Sequence, residues 1–171
     1  METSGSKKRN RTLLWIAGGC LGILVCVLVV FLFGFGGLYW LGTQMAEEVE
    51  IGWAIPTGLS VGEDFEFRIV VTNVSAAPVE VLQIDFSAGY LRGFLIETTT
   101  PPYLDVFEYT PLGGGELFQS YSFRKLLEPG AEFTFAFNGR AIRTGDFSGT
   151  VLVCISSAFN CRTNVVRTIV N

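Results

Sequence analysis

The chain has 171 residues, with 12 basic and 16 acidic side chains, no histidine and a formal net charge of −4. Without histidine it lacks the commonest general base and metal ligand, which disfavours hydrolytic triads and ordinary zinc sites. Lys7, Lys8, Arg9 and Arg11 stand at the N-terminus, so the part from Glu47 onward is acidic, a balance that argues against nucleic acid and anionic headgroups as partners.

Residues 1–12 are a basic tail. No charge then appears until Glu47, and the run Leu13 to Leu41 is almost wholly Leu, Val, Ile, Phe and Gly. At about 1.5 Å of rise per residue it is longer than a hydrocarbon core of about 30 Å, which predicts a transmembrane helix over 13–41. The positive flank precedes the span and Glu47, Glu48 and Glu50 follow it, so the N-terminus is expected in the cytoplasm and the remainder outside it. Trp15 and the pair Tyr39-Trp40 stand where aromatic side chains anchor at the two headgroup regions. A cleavable signal peptide is the competing reading, but the apolar run far exceeds an h-region of about 7 to 15 residues. A lipid-modified Cys20 is disfavoured because few apolar residues precede it. Gly18 and Gly22, four apart, would let two such helices approach closely and form a homodimer, although glycine is common in membrane helices. The helix would otherwise contact membrane lipid.

Residues 42–48 form a juxtamembrane linker, and 49–171 are the size of one domain. From Val49 the pattern has period two, with turn residues every eight to twelve positions, which predicts an all-β, immunoglobulin-like antiparallel sandwich of eight or nine strands. Asp64 to Asn73 alternates Phe65, Phe67, Ile69 and Val71 against polar neighbours. Val79 to Phe86 follows the turn Ser75-Ala76-Ala77-Pro78, and the two are expected to pair as a hairpin.

Phe94 to Thr99 is a short strand ended by Pro101-Pro102, which cannot donate to a ladder. Asp105 to Thr110 precedes Gly113-Gly114-Gly115. Leu117 to Leu126 and Ala131 to Arg143 flank the turn Glu128-Pro129-Gly130, with Phe133, Phe135 and Phe137 on one face. Phe147 to Ser156 and Cys161 to Val170 form the last hairpin. Cys154 and Cys161, an even pair on the side where thiols are oxidised, are expected to clamp it as a disulfide.

The stretch Ser60-Val61-Gly62-Glu63-Asp64 through Val71-Thr72-Asn73-Val74-Ser75, continuing to Pro78-Val79, resembles the opening of bacterial surface immunoglobulin-like modules of the CARDB kind. About twenty residues carry the likeness. It implies a cell-surface adhesion or scaffolding module and no catalysis, and the single copy departs from the tandem arrangement usual for such modules.

No residue pattern identifies a reaction, a cofactor or a metal. Glu63, Glu66, Glu80, Asp85 and Glu132 read as solvated strand faces or turns, and Glu63-Asp64 lacks the dense oxygen ligands of a calcium loop. Asn73-Val74-Ser75 has the form of a glycosylation acceptor and also suits a turn. Tyr103, Phe107 and Tyr109 place aromatics in a loop-rich, partly exposed segment, the side chains that anchor protein interfaces. The expected function is a membrane-anchored extracytoplasmic binding or scaffolding module with a protein partner, such as a subunit of a membrane complex. The alternative is a tethered hydrolase using the carboxylates of Asp105 and Glu108.

Overall fold

The structure, a computed structural model, describes residue 29 and residues 48–111 and 114–171. The expected transmembrane segment, with Gly18 and Gly22, lies outside the described residues apart from Val29. Among the described residues no helix is long and apolar enough to cross a membrane. Met45–Asn171 form one compact unit.

Ten strands build this unit: β1 (Val49–Ala54), β2 (Gly58–Leu59), β3 (Asp64–Asn73), β4 (Val79–Ser87), β5 (Phe94–Thr100), β6 (Asp105–Tyr109), β7 (Phe118–Leu127), β8 (Glu132–Ala141), β9 (Gly145–Ile155) and β10 (Cys161–Val170). One short helix among the described residues of this unit, α1 (Ala88–Leu91), follows β4. The count exceeds the eight or nine expected because β2 has only two residues, too few to show an alternation. The strands form a four-stranded sheet, in order β1-β3-β8-β5, and a six-stranded sheet, in order β2-β10-β9-β4-β7-β6. Every pairing is antiparallel except that of β2 with β10.

The period-two pattern is realised most cleanly in β3, where Phe65, Phe67, Ile69 and Val71 are buried and Asp64, Glu66 and Arg68 are exposed. Paired residues share a face, so Phe67 opposite Phe137 and Ile69 opposite Phe135 turn four apolar side chains to the same side. The six-stranded sheet answers with Ile84, Phe86, Tyr121, Phe123, Val151 and Val153. Phenylalanine rings bridge the layers: Phe86 meets Phe137 edge-on at 4.9 Å and Phe123 meets Phe135 at 4.9 Å. Such contacts add about 0.5–1.5 kcal/mol each beyond the area they bury.

The expected hairpin of β3 with β4 does not form. β3 pairs with β1 and β8, whereas β4 pairs with β7 and β9 in the other sheet. The connection crosses between layers, and Asn73 holds the crossing. Its side-chain amide donates to Ala77 O at 2.8 Å and to Leu127 O, at the end of β7, at 2.9 Å. Its Oδ1 accepts from the Ser75 N–H at 2.9 Å and from Ser75 Oγ at 2.8 Å. Asn73 is fully buried with its side-chain amide donating to two carbonyls, so the Asn73-Val74-Ser75 acceptor form serves the turn here and a sugar on Asn73 would displace those bonds.

A second polar chain ties α1 to the far edge. Thr168 Oγ1 donates to Pro56 O at 2.6 Å, which leaves it to accept from Tyr90 Oη at 2.9 Å. Tyr90 is fully buried, and burial pushes its phenol up to about 12. Gly139 allows β5 to pass close over β8: a Cβ there would overlap the Leu95 carbonyl oxygen, which is backbone and cannot move aside cheaply.

Candidate functional site

The candidate site is the outer face of the six-stranded sheet near β6, the face turned away from the core. In β4 the alternation slips at a bulge between Val81 and Gln83. Beyond it Ile84 and Phe86 point inward, so Gln83, Asp85 and Ser87 point outward. Register then assembles the outer face in rows. Asp85 stands between Leu152 of β9 and Ser120 of β7, and Ser120 stands opposite Phe107 of β6. One row along, Gln83 lies between Cys154 and Ser122.

Asp85 is not the solvated strand residue that alternation suggests: it is fully buried. Its carboxylate accepts from Gln83 Nε2 at 3.1 and 3.0 Å and from Tyr109 Oη at 2.7 Å, and Cys154 Sγ lies 3.7 Å from Oδ2. Burial of a carboxyl on an outer face requires a cover, and the aromatic side chains of the edge strand together with the disulfide supply it. Burial, then the hydrogen bond and charge of Asp85, raise the Tyr109 phenol far above its ordinary value. Ser120 is fully buried and its Oγ has no hydrogen-bond partner.

The disulfide between Cys154 and Cys161 is present, with S–S 2.04 Å and the two Cα atoms 3.9 Å apart as a directly paired position of β9 and β10. It closes the loop 155–160, whose Phe159 is 89% exposed. Beside Phe159 lies an apolar cleft of about 400 Å³ with Tyr109, Pro111, Leu152 and Cys161 in its lining. A more polar cleft of about 380 Å³, lined in part by Gln83, Leu104, Asp105 and Arg124, lies on the other side of Phe107. Phe107, 41% exposed, stands between the two.

The three aromatics singled out in the sequence are therefore divided. Phe107 and Tyr109 share the outer face, with ring centroids 6.1 Å apart, and Tyr109 also stacks on Phe118 at 5.8 Å. Tyr103 lies elsewhere, edge-on to the core residue Tyr121 at 5.5 Å, its N–H donating to Thr99 Oγ1 at 3.1 Å. Asp105 and Glu108, three apart on one strand, project from opposite faces of β6 and do not converge. Among the described residues no group of three or more Cys, Asp or Glu could hold a metal ion. Sequence inspection missed Asp85, Phe159 and Leu152. The available signal was Gln83-x-Asp85 in a strand whose other neighbours are apolar, and it gains meaning only once that strand is known to be central.

No family model matches the chain and no curated protein matches it. Solved structures that are similar include the AvmM protein that catalyses macrocyclization in alchivemycin A biosynthesis, at 10% identity and a TM-score of 0.49 over 73% of this chain and 89% of that one. The CARDB domain of a Pyrococcus furiosus protein, in complex with di-metal ions, matches at 15% identity and a TM-score of 0.40, over 71% and 89%. The cupredoxin domain of amoB from Nitrosocaldus yellowstonii matches at 9% identity and a TM-score of 0.45, over 73% and 88%. Each is a likeness of the sandwich alone, and none brings a chemistry to this chain.

Proposed function

We propose that this protein is a single-pass, membrane-anchored binding or scaffolding module, its sandwich held outside the cytoplasm and its outer face engaging a protein partner. Anchorage and orientation rest on the uncharged run 13–41 and on the basic residues before it. The observation that carries the binding role is the pairing of Phe107 and Phe159, two exposed aromatic side chains, with the apolar cleft that adjoins Tyr109 and Phe159. Exposed aromatics beside a preformed cleft on a rigid sheet are the usual anchors of a protein interface, because they bury much area for little lost side-chain freedom. The buried Asp85–Tyr109 bond and the disulfide hold that face in one shape.

The test is a mild-detergent pull-down of the full-length protein from its native membrane with cross-linking mass spectrometry, run beside a Phe107→Ser, Phe159→Ser variant. A stoichiometric partner, cross-linked near β6 or the 156–160 loop and lost from the variant, supports the reading. A partner captured equally by both proteins, or no partner at any cross-linker length, overturns it.

A further inference from the structure

Asp85 is a buried carboxylate with an acceptor position still to fill. Among the described residues it has no cationic partner, and Gln83 Nε2 and Tyr109 Oη together supply three hydrogen bonds to it. An ionised carboxyl accepts about four. The next group against it is Cys154 Sγ, 3.7 Å from Oδ2, which as half of a disulfide has no hydrogen to donate. A buried acceptor set against an atom that cannot donate is a cost carried by the oxidised state.

The other sulfur stands in the same relation to an oxygen. Cys161 Sγ lies 3.4 Å from Ala158 O, within reach of an S–H donor and again without the hydrogen. Each sulfur of the bridge therefore faces an acceptor that only its thiol can use, and reduction gains two S–H···O bonds, one of them to a carboxylate. Interactions gained only by the dithiol favour it, which makes a disulfide a better oxidant. β9 and β10 remain joined along ten paired positions when the bridge opens, so the two thiols stay opposite one another.

The two sulfurs are not equivalent toward an incoming thiolate. Cys154 is fully buried, whereas Cys161 is half-buried and lines the apolar cleft beside Phe159. A thiolate that enters this cleft meets Cys161, and Pro111, Leu152 and Phe159 are there to hold an apolar side chain next to it.

We propose that the Cys154–Cys161 bridge is a thiol–disulfide exchange site, and that the partner brings to it a pair of cysteines flanked by apolar side chains. A partner thiolate, its proton released to solvent, attacks Cys161 Sγ. A bond forms between those two sulfurs, the Cys154–Cys161 bond breaks, and its electron pair leaves on Cys154 Sγ. Cys154 takes up a proton and donates it to Asp85 Oδ2, whose negative charge opposes a lasting thiolate beside it. The partner's second thiolate then attacks the first partner sulfur, and Cys161 leaves, takes up a proton and faces Ala158 O. The partner dithiol is oxidised to a disulfide by loss of two electrons, and the disulfide of this chain is reduced to two thiols. The inference deepens the partner reading given above and rests on it for the protein that carries the cysteines.

The test uses the full-length protein in liposomes, carrying Cys20→Ser and Cys26→Ser. Two synthetic peptides, each with one cysteine, flanked by leucine in the first and by glycine in the second, are mixed with the oxidised protein. Early mixed disulfides are trapped with acid and located by fragment mass spectrometry. The expected adduct is on Cys161 and not on Cys154, and it forms about fivefold faster from the leucine-flanked peptide, an advantage lost in Phe159→Ser. An adduct on Cys154, no adduct, or equal rates for the two peptides overturns the proposal.

A second measurement follows the bridge at equilibrium in glutathione buffers. Asp85→Asn keeps the size of the side chain but weakens the acceptor that the Cys154 thiol uses, and is expected to move the constant about fivefold toward the disulfide. Tyr109→Phe frees Oδ2 for that thiol and should move it the other way, toward the dithiol. A bridge that is only a clamp behaves differently, because both variants loosen the fold and both then favour the dithiol. That result, or no shift in either variant, also overturns the proposal. Partner capture from the native membrane keeps the two readings apart. Capture without an adduct on Cys161 sinks only the exchange site, and the adduct with the two opposed shifts but no captured partner sinks only the outer-face partner.

Discussion

Tyr109 Oη donates to Asp85 Oδ2 at 2.7 Å, and this one bond ties the last strand of the larger sheet to a strand two places further in. β6 is only five residues long and its residues are mostly exposed, so little apolar burial holds it in place. Removing the donor leaves a buried carboxylate with one partner fewer, and hydrogen bonds to charged groups contribute about 1.5–3 kcal/mol. Tyr109→Phe, which keeps the ring against Phe107 and Phe118, is expected to destabilise the domain by about 2 kcal/mol. Denaturant unfolding checks the loss, and hydrogen exchange should show faster opening of β6 than of β3.

Alkaline pH should unfold the protein through its tyrosines. Burial pushes Tyr90 and Tyr121 up to about 12, Tyr121 with a smaller contribution from the charge of Tyr103, and Tyr109 lies higher still. An unfolded tyrosine ionises near its ordinary value of about 10. Below that pH both states hold the proton and stability is unaffected. Above it the unfolded state ionises first, so stability falls as pH rises towards the folded values, by up to about 1.4 kcal/mol per pH unit for the fully buried Tyr90 and by less for Tyr121 and Tyr109, whose phenols solvent partly screens. Melting temperatures followed from pH 9 to 11.5 should be level at first and then drop, with a shallower drop for Tyr90→Phe.

Reduction of the disulfide should cost stability without dispersing the sheet. The bridge closes a loop of only eight residues, 154–161, for which the chain-entropy relation gives about 2.5 kcal/mol. β9 and β10 remain joined along ten paired positions, so the folded state persists. Thermal unfolding with and without reductant measures the difference. Partner capture should weaken on reduction, because the loop bearing Phe159 loses its clamp.

Asn73→Ala removes a side chain that bridges the two sheets and leaves Leu127 O and Ala77 O without that donor. The expected loss is about 1–3 kcal/mol, the range for a buried polar group left unpaired. Ser75→Ala, which removes a half-buried hydroxyl of the same turn and leaves the Asn73 amide bonds to both carbonyls in place, should cost well under half as much. Comparing the two by chemical denaturation distinguishes a sheet-bridging role from ordinary turn preference.

Much of the fold is legible along the chain. β3, β4, β7, β9 and β10 fall within a residue or two of the expected strands because alternation is a local property, set by which face of each strand meets the core. The disulfide is legible for the same reason, since a short loop between two alternating runs brings Cys154 opposite Cys161. β2 is not, because two residues cannot alternate and its pairing is with the distant end of β10.

By itself the sequence determined the uncharged N-terminal run with its basic flank, the all-β character of 49–171 and the phenylalanine-rich core, all written in neighbouring residues. Only the tertiary structure decided that β3 and β4 part into different sheets, since strand pairing depends on contacts between distant segments and no local pattern encodes it. The fate of Asp85 follows from that pairing. A carboxylate that reads as solvent-facing on an isolated strand is buried once the strand is placed centrally and Tyr109, 24 positions later, folds its hydroxyl onto it. Likewise Phe107 and Phe159 become one face because β6 and the β9–β10 loop lie on the same side of the same sheet, a relationship that exists only in three dimensions.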